Sequence, residues 1–350
     1  MLVFSALLYY NNAIGGAWCS GSTRASDSLS VGSIPIAPAK ISLSQARFFY
    51  AVDLPTNIRY NNLMAIQTKQ PAKWRETADP FSFDFNNFKL IEVLGYPHAG
   101  NDVFFVKGIF DEKEVYAFIK SKRHVDANLE NEVFIINSLP LSNVPKVLDY
   151  DGKDFSFCVL SAMDGQRLSV LVGDNADNRS LDYMFEYGKA LASLHKSKIN
   201  GLKEVKWRRF FDIPSDEFLA EYGLDFVKDY LVRNKPNKVN QCFVHGDFHY
   251  ANLLWENGKI SGILDFELAG LGNKEFDVAW AVIRRPGQTF MKTQEELDLF
   301  LEGYCSVNSI DKSLVKYYMV QVYCHFYAVG KNNEEYCTYI KDTLKTMIEE

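Results

Sequence analysis

The sequence has no paired cysteine motif, no long hydrophobic run and no excess of positive charge. Its six cysteines are scattered and none forms a CxxC pair, which favours buried or free thiols in a reducing compartment. No apolar run reaches the ~18 residues that a membrane-spanning helix requires. We therefore expect a cytoplasmic protein with no membrane partner.

The charge balance limits the class of partner. The net charge is −6, and residues 1–63 hold four basic and two acidic residues, so the rest of the chain is distinctly acidic. An acidic body disfavours nucleic acid as a partner and is compatible with a cationic small-molecule substrate. With 350 residues, 47% of them apolar and 14% aromatic, the chain can bury the core of one large or two ordinary domains.

The first 80 residues differ in character from the rest. Residues 1–80 show no sustained periodicity and are rich in serine, asparagine, alanine and proline, which predicts a disordered leader. The stretch 31–39, VGSIPIAPA, resembles the conceptual translation of a TΨC arm and acceptor end of a bacterial tRNA gene. This resemblance suggests that the leader is not translated and that the true start lies near Met64.

A clear secondary-structure pattern begins at Phe88. Residues 89–94, 101–109 and 115–120 are rich in β-branched and aromatic residues, which predicts three antiparallel strands. An amphipathic helix is predicted over 127–139, stopped by Pro140, and is followed by a strand pair at 147–150 and 155–160. The remainder is predicted to be mostly helical, at 181–196, 216–232, 276–283, 294–304, 313–329 and 334–348.

This order of elements predicts an α+β fold with two lobes and a cleft between them. The N-terminal lobe, residues 81–163, would consist of an antiparallel sheet and one helix. The C-terminal lobe, residues 164–350, would be mostly helical. Thr293 and Glu296 have the spacing of a capping box at the start of one of its helices.

The strongest chemical signal is VHGDFHYANLL at 244–254, followed by ILDFE at 263–267. Between them, Asn257 and Gly258 separate two apolar runs, which predicts a hairpin that brings Asp265 back beside Asn252. A carboxylate such as Asp247 can orient a hydroxyl group and accept its proton. Amide and carboxylate oxygens suit Mg²⁺, so Asn252 and Asp265 are the predicted metal ligands.

Two weaker signals lie in the first lobe. The loop between its first two strands contains Gly100 and Asn101, and glycine lets backbone amides approach a phosphate closely. Lys120 ends the third strand, where its side chain points away from the face of Ile119. Taken alone, either feature is typical of an ordinary hairpin turn or of a solvent-facing lysine.

These motifs resemble the aminoglycoside phosphotransferase/choline kinase family. The resemblance is carried by HGDxHxxN at 245–252, IxDFE at 263–267, DVAW at 277–280 and Leu194-His195, and it extends from about Phe88 to the C-terminus. It implies a protein-kinase-like fold and transfer of a phosphoryl group from ATP to a hydroxyl group of an aminoglycoside, amino-alcohol or sugar-like molecule. ATP and Mg²⁺ are the implied cofactors.

The resemblance also implies a role for each matching residue. Asp247 would be the catalytic base, and Asn252 and Asp265 the magnesium ligands. Phosphate binding would fall to Lys120, Gly100 and Asn101, with the connector residues Ser161 and Met163 lining the adenine pocket. A glutamate on the following helix would pair with Lys120, and Glu132 fits that position better than Glu130. His249 and Glu267 are candidates for a phosphate or substrate contact.

Three other interpretations compete with this one. His245 and His249 have an i,i+4 spacing that zinc sites use, but the surrounding residues predict a turn, and a third ligand is missing from the pattern. The run GDFH also occurs at the start of metallophosphoesterases, whose further metal-ligand run has no counterpart here. A pseudokinase that binds nucleotide or acts as a scaffold is a third reading, against which Lys120, Asp247, Asn252 and Asp265 all argue. The acceptor, the choice between ATP and GTP and the oligomeric state are left open.

Overall fold

The computed structural model describes residues 78–97, 101–123, 126–205, 209–237 and 241–349. All of them belong to the larger of the two compact units into which the chain divides, Asp53–Glu350. The predicted leader up to residue 77, with the predicted start at Met64, lies outside the described residues. Gly100 of the predicted phosphate loop also lies outside them.

Five antiparallel strands form the sheet of the first lobe. Their hydrogen-bonded order is β1-β2-β3-β5-β4. A two-residue turn joins β2 to β3, and both of its residues, Asp111 and Glu112, have positive φ angles of 49° and 61°, which match the twist of the strands. The strands are β1 (Phe88–Gly95), β2 (Asp102–Phe110), β3 (Lys113–Ser121), β4 (Val147–Tyr150) and β5 (Phe157–Ser161).

The two faces of this sheet have different surroundings. One face carries Phe104 and Ile119 in an apolar cluster that aromatic rings from the segment before β1 complete. The other face packs against α1 (Leu129–Ser138), which begins at the side-chain cap of Asn128. Because side chains alternate along a strand, Lys120 points to the α1 face, where its ammonium group meets a glutamate of that helix.

The chain after β5 is mostly helical, with two short strand pairs. Strand β6 (Gln241–Val244) pairs with β9 (Gly270–Asn273), and β7 (Leu253–Glu256) pairs with β8 (Lys259–Ile263). The helices are α2 (Leu168–Val172), α3 (Leu181–His195), α4 (Asp216–Tyr222), α5 (Lys228–Arg233), α6 (Lys274–Val282), α7 (Gln294–Cys305), α8 (Lys312–Val329) and α9 (Glu334–Glu349). The predicted capping box starts α7.

The prediction of one continuous helix over 216–232 is wrong. Helix α4 ends at Tyr222 because Gly223 adopts a left-handed conformation with a φ of 60° and donates its N–H to the last helical carbonyls. A short 3₁₀ turn, Asp225–Val227, then leads into α5. The apolar spacing continues across the break, and this continuity hides the glycine cap in the sequence.

The predicted α+β fold class is confirmed. An antiparallel sheet with one helix precedes a mostly helical region, and α3 and α7 pack closely enough that Gly188 faces the backbone of Phe300. Within the described ranges, no helix has both the length and the apolar composition needed to cross a bilayer.

Candidate active site

A short loop after β6 presents Asp247, and the path of this loop depends on Gly246. Gly246 has a φ of 77°, and an added Cβ would lie 2.5 Å from the carbonyl oxygen of Leu268. Only glycine fits this space and adopts this conformation without strain. The chain therefore turns sharply after His245 and directs the side chain of Asp247 toward α6.

Asp277, on α6, holds the backbone of this loop. Its Oδ2 accepts the N–H of His245 at 2.8 Å, and its Oδ1 accepts the N–H of Gly246 at 3.1 Å. His195 Nε2 lies 3.1 Å from the same Oδ2, and His195 Nδ1 lies 2.8 Å from the hydroxyl of Tyr304. Since these groups surround a fully buried carboxylate with hydrogen-bond donors, Asp277 supports the loop.

His245 links the loop to the residue before Asp265. Its Nδ1 accepts the N–H of Asp247 at 3.3 Å, so Nε2 carries the proton and donates to the carbonyl of Leu264 at 3.1 Å. Burial lowers the pKa of this imidazole, although the neighbouring Asp277 and Asp247 act in the opposite direction. The ring is therefore neutral, and both of its nitrogens are engaged.

Asp247 is buried and its carboxylate lies between two nitrogen-bearing rings. The indole Nε1 of Trp280 donates to Oδ1 at 2.9 Å, and Nε2 of His249 lies 3.5 Å from the same oxygen. The side-chain amide of Asn252 donates to the backbone carbonyl of Asp247 at 3.0 Å. The two residues of the HGDxHxxN motif that would meet the reacting groups are thus tied to each other directly.

The hairpin of β7 and β8 joins Asn252 to the segment of Asp265. Its turn residues Asn257 and Gly258 have φ angles of 51° and 73°, as the Asn-Gly pair predicts. At the open end of the hairpin, the N–H of Leu264 donates to the carbonyl of Asn252 at 2.9 Å. Asp265 follows with a φ of 68°, so the chain leaves the hairpin in a strained turn at this residue.

Lys120 connects the sheet to the segment of Asp265. Its Nζ lies 2.7 Å from Oε2 of Glu132 on α1 and 2.7 Å from Oδ1 of Asp265. Glu130, the alternative partner in the sequence, is exposed and lies 4.0 Å from Lys203. The structure therefore brings together Lys120, Glu132 and Asp265, each from a different element.

Glu267 faces the first lobe. Its Oε2 accepts a hydrogen bond from the side-chain amide of Asn101 at 2.9 Å and lies 3.8 Å from Nζ of Lys120. The amide of Asn131, on α1, donates to the carbonyls of Phe266, Glu267 and Ala269 at 3.4, 3.2 and 2.8 Å. Asn131 thus fixes the backbone that carries Glu267.

The Lys120 cluster, which we define as Lys120, Glu132, Asp265 and Glu267, has a surplus of carboxylates. Burial lowers the pKa of Lys120, but the three carboxylates outweigh burial and hold this pKa well above its usual value. Burial raises the pKa of Glu132, an effect that Lys120 opposes and the two other carboxylates reinforce. One ammonium group for three carboxyl groups leaves a local negative charge that a cation would balance.

The connector between the lobes contains Ser161 and Met163. The amide of Ser161 donates to Lys146 O at 2.8 Å, and the amide of Ala162 donates to Tyr116 O at 3.0 Å. The amide of Met163, which is half-buried, forms no hydrogen bond to another described residue. It is therefore the amide of this connector that a ligand can use.

The metal-binding capacity of the site comes from oxygen ligands. Over the described ranges, no group of three or more histidine, cysteine, aspartate or glutamate side chains has the arrangement of a metal site. His249 Nδ1 accepts the N–H of Ala251 at 3.2 Å, so neither motif histidine offers a free pair of nitrogens for zinc. The amide of Asn252 and the carboxylate of Asp265 fit a hard cation that completes its shell with waters and phosphate oxygens.

One contact of this site was not predicted from the sequence, and it comes from Trp280. The sequence does contain a partial signal for it. Trp280 follows Asp277 by three positions on α6, and residues three apart lie on the same face of a helix. Since Asp277 holds the catalytic loop, its neighbour on that face also meets the loop.

Comparisons with known proteins agree with this site. The sequence model described as the phosphotransferase enzyme family matches residues 135–311, more than half of the chain. Aminoglycoside 3'-phosphotransferase of Niallia circulans is 25% identical over 259 residues, which cover 66% of this chain and 94% of the relative. Amicoumacin kinase of Bacillus subtilis (strain 168) is 24% identical over 196 residues, covering 50% of this chain and 55% of the relative.

Solved structures show a distant likeness. A choline/ethanolamine kinase family protein from Mesorhizobium loti aligns with a TM-score of 0.48 and 15% identity, covering 83% of this chain and 94% of that protein. Aminoglycoside phosphotransferase APH(4)-Ia aligns with a TM-score of 0.47 and 14% identity, covering 76% and 93%. The sequence match includes the loop of Asp247 and the whole β7–β8 hairpin. This chain therefore belongs to the phosphotransferase enzyme family.

Proposed function

We propose that this protein transfers the γ-phosphoryl group of ATP to a hydroxyl group of a small molecule. One observation carries the proposal. The chain brings Asp247, Asn252 and Asp265 to adjoining positions through the catalytic loop and the hairpin, and it joins Asp265 to the Lys120–Glu132 pair of the other lobe. A base, two oxygen ligands and a phosphate-binding lysine are the parts that phosphoryl transfer requires.

Binding of the nucleotide falls to the first lobe and the connector. The ammonium group of Lys120, oriented by Glu132, would contact the phosphates, and Gly100 and Asn101 would line the phosphate loop. The amide of Met163 would donate to the adenine ring, with Ser161 beside it. Glu267 would adjust the position of Asn101 through the hydrogen bond between them.

Asn252 and Asp265 would hold Mg²⁺. When bound, Mg²⁺ neutralises the charge on the β- and γ-phosphates and orients them. The carboxylate surplus of the Lys120 cluster supports this assignment, because Asp265 shares its lysine with two other carboxylates. The protein residues contribute by fixing the direction of these ligands, through the Asn252–Asp247 hydrogen bond and the hairpin.

Asp247 would act on the acceptor hydroxyl. Its carboxylate accepts the hydroxyl proton as the acceptor oxygen forms a bond to the γ-phosphorus. The bond from this phosphorus to the β,γ-bridging oxygen breaks, and ADP leaves with that electron pair. His249, 3.5 Å from the Asp247 carboxylate, is placed to donate a hydrogen bond to a γ-phosphate oxygen. Positioning and charge stabilisation then supply most of the rate enhancement.

The acceptor class follows from charge and from the relatives. The acidic body of the chain favours a cationic, hydroxylated molecule. The similar proteins include an aminoglycoside 3'-phosphotransferase, an amicoumacin kinase and a choline/ethanolamine kinase family protein. We therefore propose an aminoglycoside, amino-alcohol or sugar-like acceptor, and a cytoplasmic location where ATP is abundant.

A screen of purified protein with Mg-ATP against hydroxylated amines, antibiotics and sugars tests the proposal. ADP release and a mass gain of one phosphoryl group in the acceptor are the expected results. Asp247→Ala should lower kcat by about 10³-fold or more while nucleotide affinity, measured by calorimetry, stays largely unchanged. Unchanged turnover in this variant would refute the role of Asp247.

The same screen separates two other functions. Nucleotide binding without turnover for any acceptor would indicate a pseudokinase that serves as a binding module or scaffold. Release of phosphate from a phosphomonoester, without any need for ATP, would indicate a metallophosphoesterase. Either result would overturn the proposed phosphotransfer.

A further inference from the structure

Trp280 meets the carboxylate of the residue that we assign as catalytic base. Its indole Nε1 donates a hydrogen bond to Oδ1 of Asp247 at 2.9 Å. Both side chains are buried, Trp280 with 5% of its surface exposed. A hydrogen bond from a neutral donor to a carboxylate is among the stronger ones in proteins, and a surrounding with little water strengthens it further.

The indole is held firmly in place. The guanidinium group of Arg285 lies 4.9 Å from the centre of the ring, and its Nη2 donates to the backbone carbonyl of Trp280 at 3.0 Å. The rings of Phe210 and Phe326 pack against the indole at centroid distances of 5.2 and 5.7 Å. The direction of the Nε1–H bond is thus set by contacts on several sides of the ring.

Arg285 adds an electrostatic effect. It is buried with 5% exposure, donates only to backbone carbonyls, and has no carboxylate within 4.0 Å in the part of the chain that the structure describes. A cation over the face of an indole is attracted by the ring and draws electron density from it. The N–H of Trp280 therefore becomes a better donor to Asp247, with the cation and the carboxylate both in contact with the indole.

We propose that Trp280 is a positioning residue that fixes the carboxylate of Asp247 for catalysis. The inference rests on the proposed phosphotransfer and adds a residue to it. With the indole on Oδ1, the orientation of the carboxylate plane is set before the acceptor binds, and the hydroxyl proton is directed to Oδ2. A base held in its reactive orientation has less freedom to lose in the transition state.

The kinetic test removes the N–H group and keeps a ring. Trp280→Phe should lower kcat by about 10- to 100-fold, the effect of losing one hydrogen bond to a charged group. The KM values for nucleotide and acceptor should stay within about twofold, because the carboxylate orientation matters in the transition state. A kcat within twofold of wild type would overturn the proposal, as would a loss that appears only in KM.

Trp255 provides the matched control. It is also buried, with 1% exposure, and its Nε1 has no hydrogen-bond partner among the described residues. Its ring packs edge-on against Tyr183 and Tyr187. Trp255→Phe therefore measures the cost of exchanging a buried indole for a phenyl ring. It should lower the melting temperature about as much as Trp280→Phe does, and its kcat should fall far less.

A spectroscopic test needs no acceptor. The chain has five tryptophans, so ¹⁵N-indole labelling gives five N–H signals, and Trp280→Phe identifies the one from residue 280. Asp247→Asn should move that signal to a lower proton frequency, because an amide is a weaker acceptor than a carboxylate. The signal of Trp255 should not move.

The two tests separate this inference from the proposed function. An unmoved Trp280 signal in Asp247→Asn would show that the hydrogen bond is absent and would overturn the inference. A moved signal together with no product from the wild-type protein would instead refute phosphotransfer. If Trp280→Phe does not fold, the Asp247→Asn spectrum decides, since one of the five signals must still move.

Discussion

Two buried charge clusters of this protein have opposite compositions. The Lys120 cluster sets one ammonium group against three carboxyl groups, and the side chain of Asp265 in it is 33% exposed. The Asp277 cluster, which we define as Asp277, His195, Tyr304 and the backbone amides of His245 and Gly246, sets one carboxylate against donors only. Both side chains of its His195–Asp277 pair are fully buried.

The difference teaches how to separate a ligand site from a support. In the Asp277 cluster the carboxylate has its full complement of donors, so the free energy of burying it is balanced inside the fold. In the Lys120 cluster the carboxylates outnumber the cation, so the balance improves when a cation binds. The predictions below test this distinction, in order of decreasing expected effect.

The largest expected effect is on stability, from Asp277→Ala. The change leaves two buried backbone N–H groups and the buried His195 without their acceptor, which should cost about 3–5 kcal/mol of unfolding free energy. Asp311→Ala is the control, because Asp311 also accepts two backbone N–H groups but is exposed at the start of α8. Its cost should be about 1 kcal/mol in urea unfolding. Equal costs would remove the distinction between a buried support and an ordinary cap.

The next effect is on metal use, from Asp265→Asn. Loss of one anionic oxygen from the metal site should lower activity at physiological Mg²⁺ by about 100-fold, with partial recovery at high Mg²⁺ concentrations. The unfolding free energy should change little, because the carboxylate is partly exposed and the cluster has carboxyl groups in excess. A magnesium titration of activity gives the answer, and a wild-type titration curve would contradict the metal role.

A smaller effect on nucleotide binding is expected from Glu132→Gln. The variant keeps the size of the side chain and removes the charge that orients Lys120, so the KM for ATP should rise by about tenfold. Glu130→Gln is the matched control, since Glu130 lies on the same helix, is exposed and lies closest to Lys203. A rise in KM of the same size in both variants would mean that net charge, and not the Lys120 contact, is responsible.

The smallest effect is the pH dependence contributed by His245. Burial lowers the pKa of His245, so the folded protein keeps the ring neutral while the unfolded chain takes up a proton near pH 6.5. Stability from this group is present above pH 6.5 and is lost as the pH falls, by at most about 1.4 kcal/mol per pH unit. Urea unfolding between pH 7.5 and 5.5 should show a shallower decline in His245→Asn. Parallel declines would mean that His245 does not contribute.

The sequence predicted the elements whose signals are local. Alternating and amphipathic patterns identified the antiparallel sheet, α1 and most later helices, and Asn257–Gly258 identified the hairpin. The preference for Glu132 over Glu130 came from the flank of α1 that faces the sheet, and the structure pairs Glu132 with Lys120. The roles of the site residues stay predictions until the variants are measured.

The rest depends on contacts that no local pattern reports. Strand β9 is glycine-rich and has no alternation, so its pairing with β6 depends on tertiary context. Helical spacing places Trp280 on the face of Asp277 but does not say that its N–H reaches Asp247. The hydrogen bond between Glu267 and Asn101 joins residues far apart in the chain, and their distance in space is set by the packing of two elements.

The β7–β8 hairpin has a consequence for comparing such sequences. Asn252 and Asp265 sit at its open end, while its tip at Asn257–Gly258 points away along the ribbon. Residues added in matched pairs at the tip would lengthen both arms equally and leave the open end unchanged. The interval between the two ligand motifs is therefore free to drift in evolution, and a search that fixes this interval will overlook relatives with the same chemistry.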